Sequence, residues 1–154
     1  MNIPQLYRYY SEHFLADTDT RSIRKNTMFF ALKGPNFNGN TFAEKALSLG
    51  ASYAVVDEKE YQTHPNIFLV SDVLTTLQDL AKYHRQQLNT TIIGLTGSNG
   101  KTTTKELIHA VLSKKYNTVA TKGNLNNHIG VPLTLLAMHP DTEMGIVEMG
   151  ANHQ

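Results

Sequence analysis

Cysteine is absent from all 154 residues. That excludes disulfides, zinc-thiolate sites and a thiol nucleophile, and it fits a reducing compartment. A dominant charge is missing too: 14 Lys and Arg stand against 13 Asp and Glu, a formal net charge of +1. Such a balance supplies no long-range field for nucleic acid or for an anionic membrane, so local groups must do any anion binding. No run of about 18 apolar residues occurs, and Met1-Asn2-Ile3-Pro4-Gln5-Leu6-Tyr7 lacks the cationic start and apolar core of a secretory leader. There is no internal repeat and no low-complexity tract. The expectation is a cytoplasmic protein that binds no nucleic acid and inserts into no membrane. Its length allows one domain, or one small domain plus part of another.

What is present is concentrated in one segment, Gly94-Leu95-Thr96-Gly97-Ser98-Asn99-Gly100-Lys101-Thr102-Thr103. It follows an apolar strand-like run and opens a helix-like one, the context of a phosphate-binding loop. Glycines let successive N–H groups converge on one anion, and a helix starting near Lys101 adds its positive dipole end. On this reading Lys101 reaches the β- and γ-phosphates of a nucleoside triphosphate, and the Thr102 hydroxyl sits on a bridging Mg²⁺. The strict pattern G-x-x-x-x-G-K-[ST] would place glycine at Leu95, so the match is imperfect. A strand-to-helix turn that binds nothing is the competing reading.

Periodicity divides the chain in two. Residues 3–15 read as a helix with Leu6, Tyr10 and Phe14 on one face, and Met28-Phe29-Phe30-Ala31-Leu32 as a buried strand. The turn Lys33-Gly34-Pro35-Asn36-Phe37-Asn38-Gly39-Asn40 leads to a helix over about residues 42–49 that Gly50 ends. Tyr53-Ala54-Val55-Val56 and Ile67-Phe68-Leu69-Val70 read as strands. Ser71 reads as the N-cap of a long helix carrying Val73, Leu77, Leu80, His84 and Leu88 on one stripe. Residues 1–88 thus form an α/β half, and 89–154 begin a second, with Thr91-Ile92-Ile93-Gly94-Leu95 suited to the middle of a parallel sheet. A helix from about Thr102 to Lys114, with Leu107, Val111 and Leu112 inward, then returns the chain to a strand near Asn117-Thr118-Val119-Ala120 in a βαβ unit. Pro132 fits the first turn of a helix reaching about Met138, and Gly145-Ile146-Val147-Glu148-Met149-Gly150 is a strand ending in an acid.

That acid is the second candidate. In doubly wound sheets ligands sit beyond the carboxyl ends of the strands, where Glu148 would emerge beside the loop and share the magnesium with Thr102. A solvated strand-end glutamate is the alternative. Asn124, Asn126 and Asn127 suit a sugar hydroxyl, a pyrophosphate or an amide-bearing substrate, and equally suit turn chemistry. His128 reads as polar lining among them. His13, His64, His84, His109, His139 and His153 are scattered, with surface or core roles expected for each.

Thr96-Gly97-Ser98-Asn99-Gly100-Lys101-Thr102-Thr103 resembles the phosphate loop of the Mur ligases, which build the peptide stem of peptidoglycan precursors and share the same departure from the strict pattern. Asp19-Thr20-Arg21, then Phe29-Phe30-Ala31-Leu32-Lys33-Gly34 with Asn38-Gly39, is similar to their UDP-sugar domain. Gly123-Asn124-Leu125-Asn126-Asn127-His128-Ile129-Gly130-Val131-Pro132, and Glu148-Met149-Gly150-Ala151-Asn152-His153, resemble the members that add D-alanyl-D-alanine to UDP-MurNAc-tripeptide.

The resemblance implies a small N-terminal α/β UDP-substrate domain, residues 1–88, followed by the first part of a P-loop domain with a mostly parallel sheet, residues 89–154. It implies ATP and Mg²⁺ as cofactors, UDP-MurNAc-tripeptide and D-alanyl-D-alanine as substrates, and a monomer. Matched position by position, Thr96 to Thr103 bind ATP, Lys101 is catalytic, and Thr102 with Glu148 holds Mg²⁺. Thr20, Arg21, Lys33, Gly34, Asn38, Asn124, Asn126 and Asn127 face the UDP substrate, although Arg21 and Lys33 read equally well as surface charges. Family members continue past this length, so a truncated chain that does not ligate alone is expected. Folylpolyglutamate and cyanophycin synthetases share the loop but predict neither the first half nor the asparagines. A nucleotide-binding module without chemistry is the third reading, against which Glu148 speaks.

Overall fold

The computed structural model describes residues 1–150 and separates into two compact units, the first ending at Tyr83 and the second beginning at His84. Ala151, Asn152 and His153, part of the resemblance above, lie outside the described residues.

In the first unit, α1 (Ile3–Tyr10) starts at a reciprocal cap: the Gln5 N–H donates to Asn2 Oδ1 at 2.9 Å, and the Asn2 N–H to Gln5 Oε1 at 3.3 Å. Leu6 and Tyr10 are buried as expected, but the helix stops at Tyr10 and not at residue 15. Ser11 donates its hydroxyl to the Arg8 carbonyl, a local bond that competes with helix continuation. Phe14, at φ 53°, regains the same apolar side from a turn and sets its ring edge-on to Tyr10.

A four-stranded parallel sheet follows in the order β1 (Ala16–Asp17), β2 (Met28–Phe30), β5 (Tyr53–Val56), β6 (Ile67–Leu69). Between β2 and β5 the segment read as a turn forms an antiparallel hairpin, β3 (Lys33–Gly34) with β4 (Phe37–Asn38), and then α2 (Ala43–Ser48). Ala43 and Ala46 let α2 approach the sheet closely, and with Phe29, Ala54, Val56 and Ile67 they form the core.

The long helix α3 (Val73–Gln87) is capped by Asp72 and not by Ser71: the Thr75 N–H donates to Asp72 Oδ1 at 2.7 Å. A carboxylate at that position also meets the positive helix end. The stripe Val73, Leu77, Leu80, His84 and Leu88 is buried throughout. Its last two members serve the second unit: His84 bonds the Met138 carbonyl, and Leu88 packs with Met138 and Val147. The division between the two units thus falls inside α3, between Tyr83 and His84.

The second unit is a parallel sheet ordered β7 (Thr91–Leu95), β9 (Met144–Glu148), β8 (Thr118–Ala120). Among the described residues β7 and β8 both pair with β9, and Gly145 to Glu148 are accordingly buried. α4 (Lys101–Leu112) and α5 (Gly130–Leu136) complete the unit. Leu107 and Val111, expected inward, are 64% and 70% exposed, while Lys105 at 0% takes the inward face with half-buried Ile108 and Leu112. Among the described residues no helix is long and apolar enough to cross a membrane.

Candidate functional site

The phosphate loop runs from the end of β7 into α4. Gly100 caps the helix at φ 75° and ψ 0°, the left-handed region, so the chain can turn sharply and aim the first N–H groups of α4 outward. The Lys101 ammonium folds over this bend and donates to the Gly97 carbonyl at 2.5 Å. Ser98, Asn99, Gly100, Lys101, Thr102 and Thr103 line an open cavity of about 280 Å³. Thr96 and Gly97 are exposed and do not line it.

Glu148 closes the other side of that cavity together with Asn124 and Asn126. The Thr102 hydroxyl donates to its carboxylate at 3.0 and 3.2 Å, and Asn126 Nδ2 donates to Oε1 at 2.9 Å. The Glu148 N–H is held by Thr121 Oγ1 at 3.0 Å, so side chain and backbone are both oriented. Only 1% of Glu148 is exposed, which argues against a solvated strand-end acid.

Hydroxyl and carboxylate oxygens are the hard donors that Mg²⁺ takes, and this ion commonly uses one or two protein ligands and completes its shell with water and phosphate. Among the described residues there is no group of three acids or histidines that could hold a metal by themselves. The donor pair thus fits a metal delivered with a nucleotide.

Of the asparagines, Asn124 and Asn126 line the cavity, whereas Asn127 turns its Oδ1 to the Ile129 and Gly130 N–H groups and holds the turn that leads into α5. Turn chemistry accounts for Asn127. Gly130 is required there, because a Cβ would collide with the Leu125 carbonyl. His128 is exposed.

The first unit holds a separate cavity of about 570 Å³, lined by Thr20 and Arg21 and by Phe29, Phe37, Phe42 and Lys45. Phe37 stacks on Phe42 at 5.5 Å with half its own surface exposed. Arg21 pairs with Asp19 at 2.5 Å, and its bonds pull the Asp19 carboxyl down to about 2.

Lys33, Gly34 and Asn38 lie on the hairpin and outside that lining. The Lys33 ammonium sits 2.9 Å from Asp57 and 3.5 Å from Glu58, and the bond to Asp57 raises its pKa. Burial pushes the Asp57 carboxyl up, but donors from Asn40, Lys33 and the Val73 N–H outweigh it and hold it below the usual range. Asn38 donates to Glu58 at 3.0 Å.

Residues 95–154 match the Mur ligase middle domain. Over nearly the whole chain the sequence is similar to UDP-N-acetylmuramoyl-tripeptide–D-alanyl-D-alanine ligases. The Bacillus subtilis protein is 49% identical over 135 residues and the Escherichia coli protein 42% over 137, covering 86% and 89% of this chain and 30% of each relative. Sequence and fold of this chain are thus both similar to those of Mur ligases. Its fold agrees with those of Mur ligases solved by others. MurF from Acinetobacter baumannii superposes with a TM-score of 0.79 at 37% identity, over 90% of this chain and 31% of that one. The MurF ligase from Thermotoga maritima in complex with ADP gives 0.76 at 34%, over 90% and 32%. The chain thus spans about 30% of the length of the curated Mur ligases it matches.

Two features of this chain escaped the sequence reading. Lys105 lies four residues after Lys101, one helical turn along the same face, and that spacing was the available signal. Phe37, Phe42 and Lys45 come together only through the hairpin and α2, and no local pattern marks them.

Proposed function

We propose that the chain supplies the UDP-substrate unit and the ATP loop of a ligase that joins D-alanyl-D-alanine to UDP-MurNAc-tripeptide. Residues 1–88 would take the UDP moiety and 89–154 the triphosphate. In the first step an oxygen of the tripeptide's terminal carboxylate attacks the γ-phosphorus of ATP, the bond to the β–γ bridging oxygen breaks, and ADP leaves with that electron pair. In the second the dipeptide amine attacks the acyl carbon, inorganic phosphate departs, and loss of the amine proton leaves the amide.

In-line transfer of this kind needs positioning and charge stabilisation more than a covalent nucleophile. Lys101 and the loop N–H groups would neutralise the transferring phosphoryl group. Thr102 and Glu148 would hold Mg²⁺, which when bound lessens the repulsion between triphosphate and carboxylate. Asn126 keeps Glu148 aimed at that place, and Asn124 beside it faces the incoming peptide. In the first unit, the exposed face of Phe37 suits a uracil ring, with Thr20 and Arg21 toward the pyrophosphate. Lys33, Gly34 and Asn38 carry Phe37 there. The reaction is assigned to the cytoplasm and to a monomer.

The observation that carries this reading is the meeting of Thr102 and Glu148, 46 residues apart in sequence, over the bend that Lys101 covers. The test is thermal stabilisation of the full-length polypeptide bearing these residues. Mg·ADP and UDP-MurNAc-tripeptide are each expected to raise its melting temperature, and folate to leave it unchanged. Phosphate release from ATP is expected only with both UDP-MurNAc-tripeptide and D-alanyl-D-alanine present, and no amide formation by residues 1–154 alone. A response to folate in place of the UDP substrate would overturn the assignment.

A further inference from the structure

Lys105 is the one lysine among the described residues that is fully buried, and the reaction above does not use it. Its ammonium donates to the Gly123 carbonyl at 2.5 Å, stands 3.1 Å from Glu106 Oε1, and lies 3.8 Å from Glu148 Oε2. A buried ammonium is costly unless its partners are well placed, so its retention calls for a role.

Each contact bears on the cavity. Gly123 opens the segment that carries Asn124 and Asn126 into it, and the bond ties that segment to α4 directly below the phosphate loop. Glu148 is then held from several directions, with Asn126 on Oε1, Thr102 on both oxygens and Lys105 beside Oε2.

We propose that Lys105 is a positioning residue for the nucleotide–metal site, fastening the asparagine segment to the phosphate helix and fixing the Glu148 carboxylate in the orientation a divalent ion requires. The inference rests on the reading of Thr102 and Glu148 as metal ligands. It makes a prediction opposite in sign to simple electrostatics. A lysine acting only as a like charge near the metal would, when removed, tighten divalent-ion binding. A positioning lysine loosens it.

The experiment titrates Mn²⁺ into the full-length polypeptide with ADP, following free Mn²⁺ by electron paramagnetic resonance, for wild type and Lys105→Met. Partners that orient metal ligands typically govern affinity by about 10- to 100-fold, so a loss of about 10-fold or more is expected. Glu106→Gln removes only the exposed partner and should bind Mn²⁺ as wild type does. Where the methionine variant fails to fold, Lys105→Gln serves, being polar yet too short to reach both Gly123 and Glu148, and the same loss is expected. Unchanged or tighter Mn²⁺ binding in the folded variant, or an equal loss in Glu106→Gln, overturns the proposal. Failure of the wild type to bind Mn²⁺ with ADP would instead sink the nucleotide–metal reading itself.

Discussion

Gly100→Ala isolates the backbone of the phosphate loop. Residue 100 sits at φ 75° and ψ 0°, and a Cβ built there meets nothing within 4 Å. No steric neighbour contributes, so the cost is that of holding an L side chain in the left-handed region, about 1–2 kcal/mol. The variant can keep the bend and lose that amount of stability. It can also relax the bend and restore it on binding, in which case Mg·ADP affinity falls by up to about 5- to 30-fold. Either way the nucleotide-bound protein carries the full penalty relative to the unfolded chain, because the bend is present in the complex. Calorimetric titration with Mg·ADP and thermal melting with and without the nucleotide measure the two shares. Gly100→Asn, whose side chain tolerates this conformation, should lose half as much or less. Wild-type stability together with wild-type affinity in Gly100→Ala would refute the argument that this bend shapes the phosphate cradle, as would an asparagine variant worse than alanine.

Two further outcomes are expected. His84 is buried, its Nε2–H donates to the Met138 carbonyl at 2.9 Å, and burial lowers its pKa from the ordinary 6.5. The unfolded chain therefore takes up the proton at higher pH than the folded one. The stability His84 contributes is complete above its ordinary pKa and is lost as pH falls through the lower folded value. The melting temperature should drop between about pH 7 and about pH 5, and His84→Gln should flatten that dependence; an equally steep profile in the variant would count against it. Asn40, fully buried, donates from Nδ2 to Asp57 and Asn38, each at 2.9 Å, and accepts the Asp57 N–H at 2.9 Å. Asn40→Ala strands these groups and should cost about 2–3 kcal/mol by denaturant unfolding, whereas a loss below about 1 kcal/mol would show that the groups find other partners.

Much of this architecture is legible along the chain because its signals are local. Tyr53–Val56 and Thr91–Leu95 are strands where their short apolar runs end, since a few consecutive β-favouring residues bounded by turn formers suffice. Where a neighbouring group competed, the reading slipped. Asp72 outbid Ser71 as the cap of α3, and Ser11 ended α1 early. On α4, Lys105, a charge that ordinarily points to solvent, is buried because partners 18 and 43 residues away in sequence satisfy it.

The residues themselves determined the phosphate loop: glycine, lysine and threonine act through backbone geometry and side-chain chemistry confined to a few consecutive positions. They also determined the apolar runs from which both sheets are built. Tertiary structure alone decided that β9 pairs with both β7 and β8, that Asn126 joins Glu148 and Thr102 while Asn127 holds the turn before α5, and that Lys105 stands beside Glu148. Strand order and helix phase follow from which distant surfaces exclude water together, and no stretch of neighbouring residues encodes that choice.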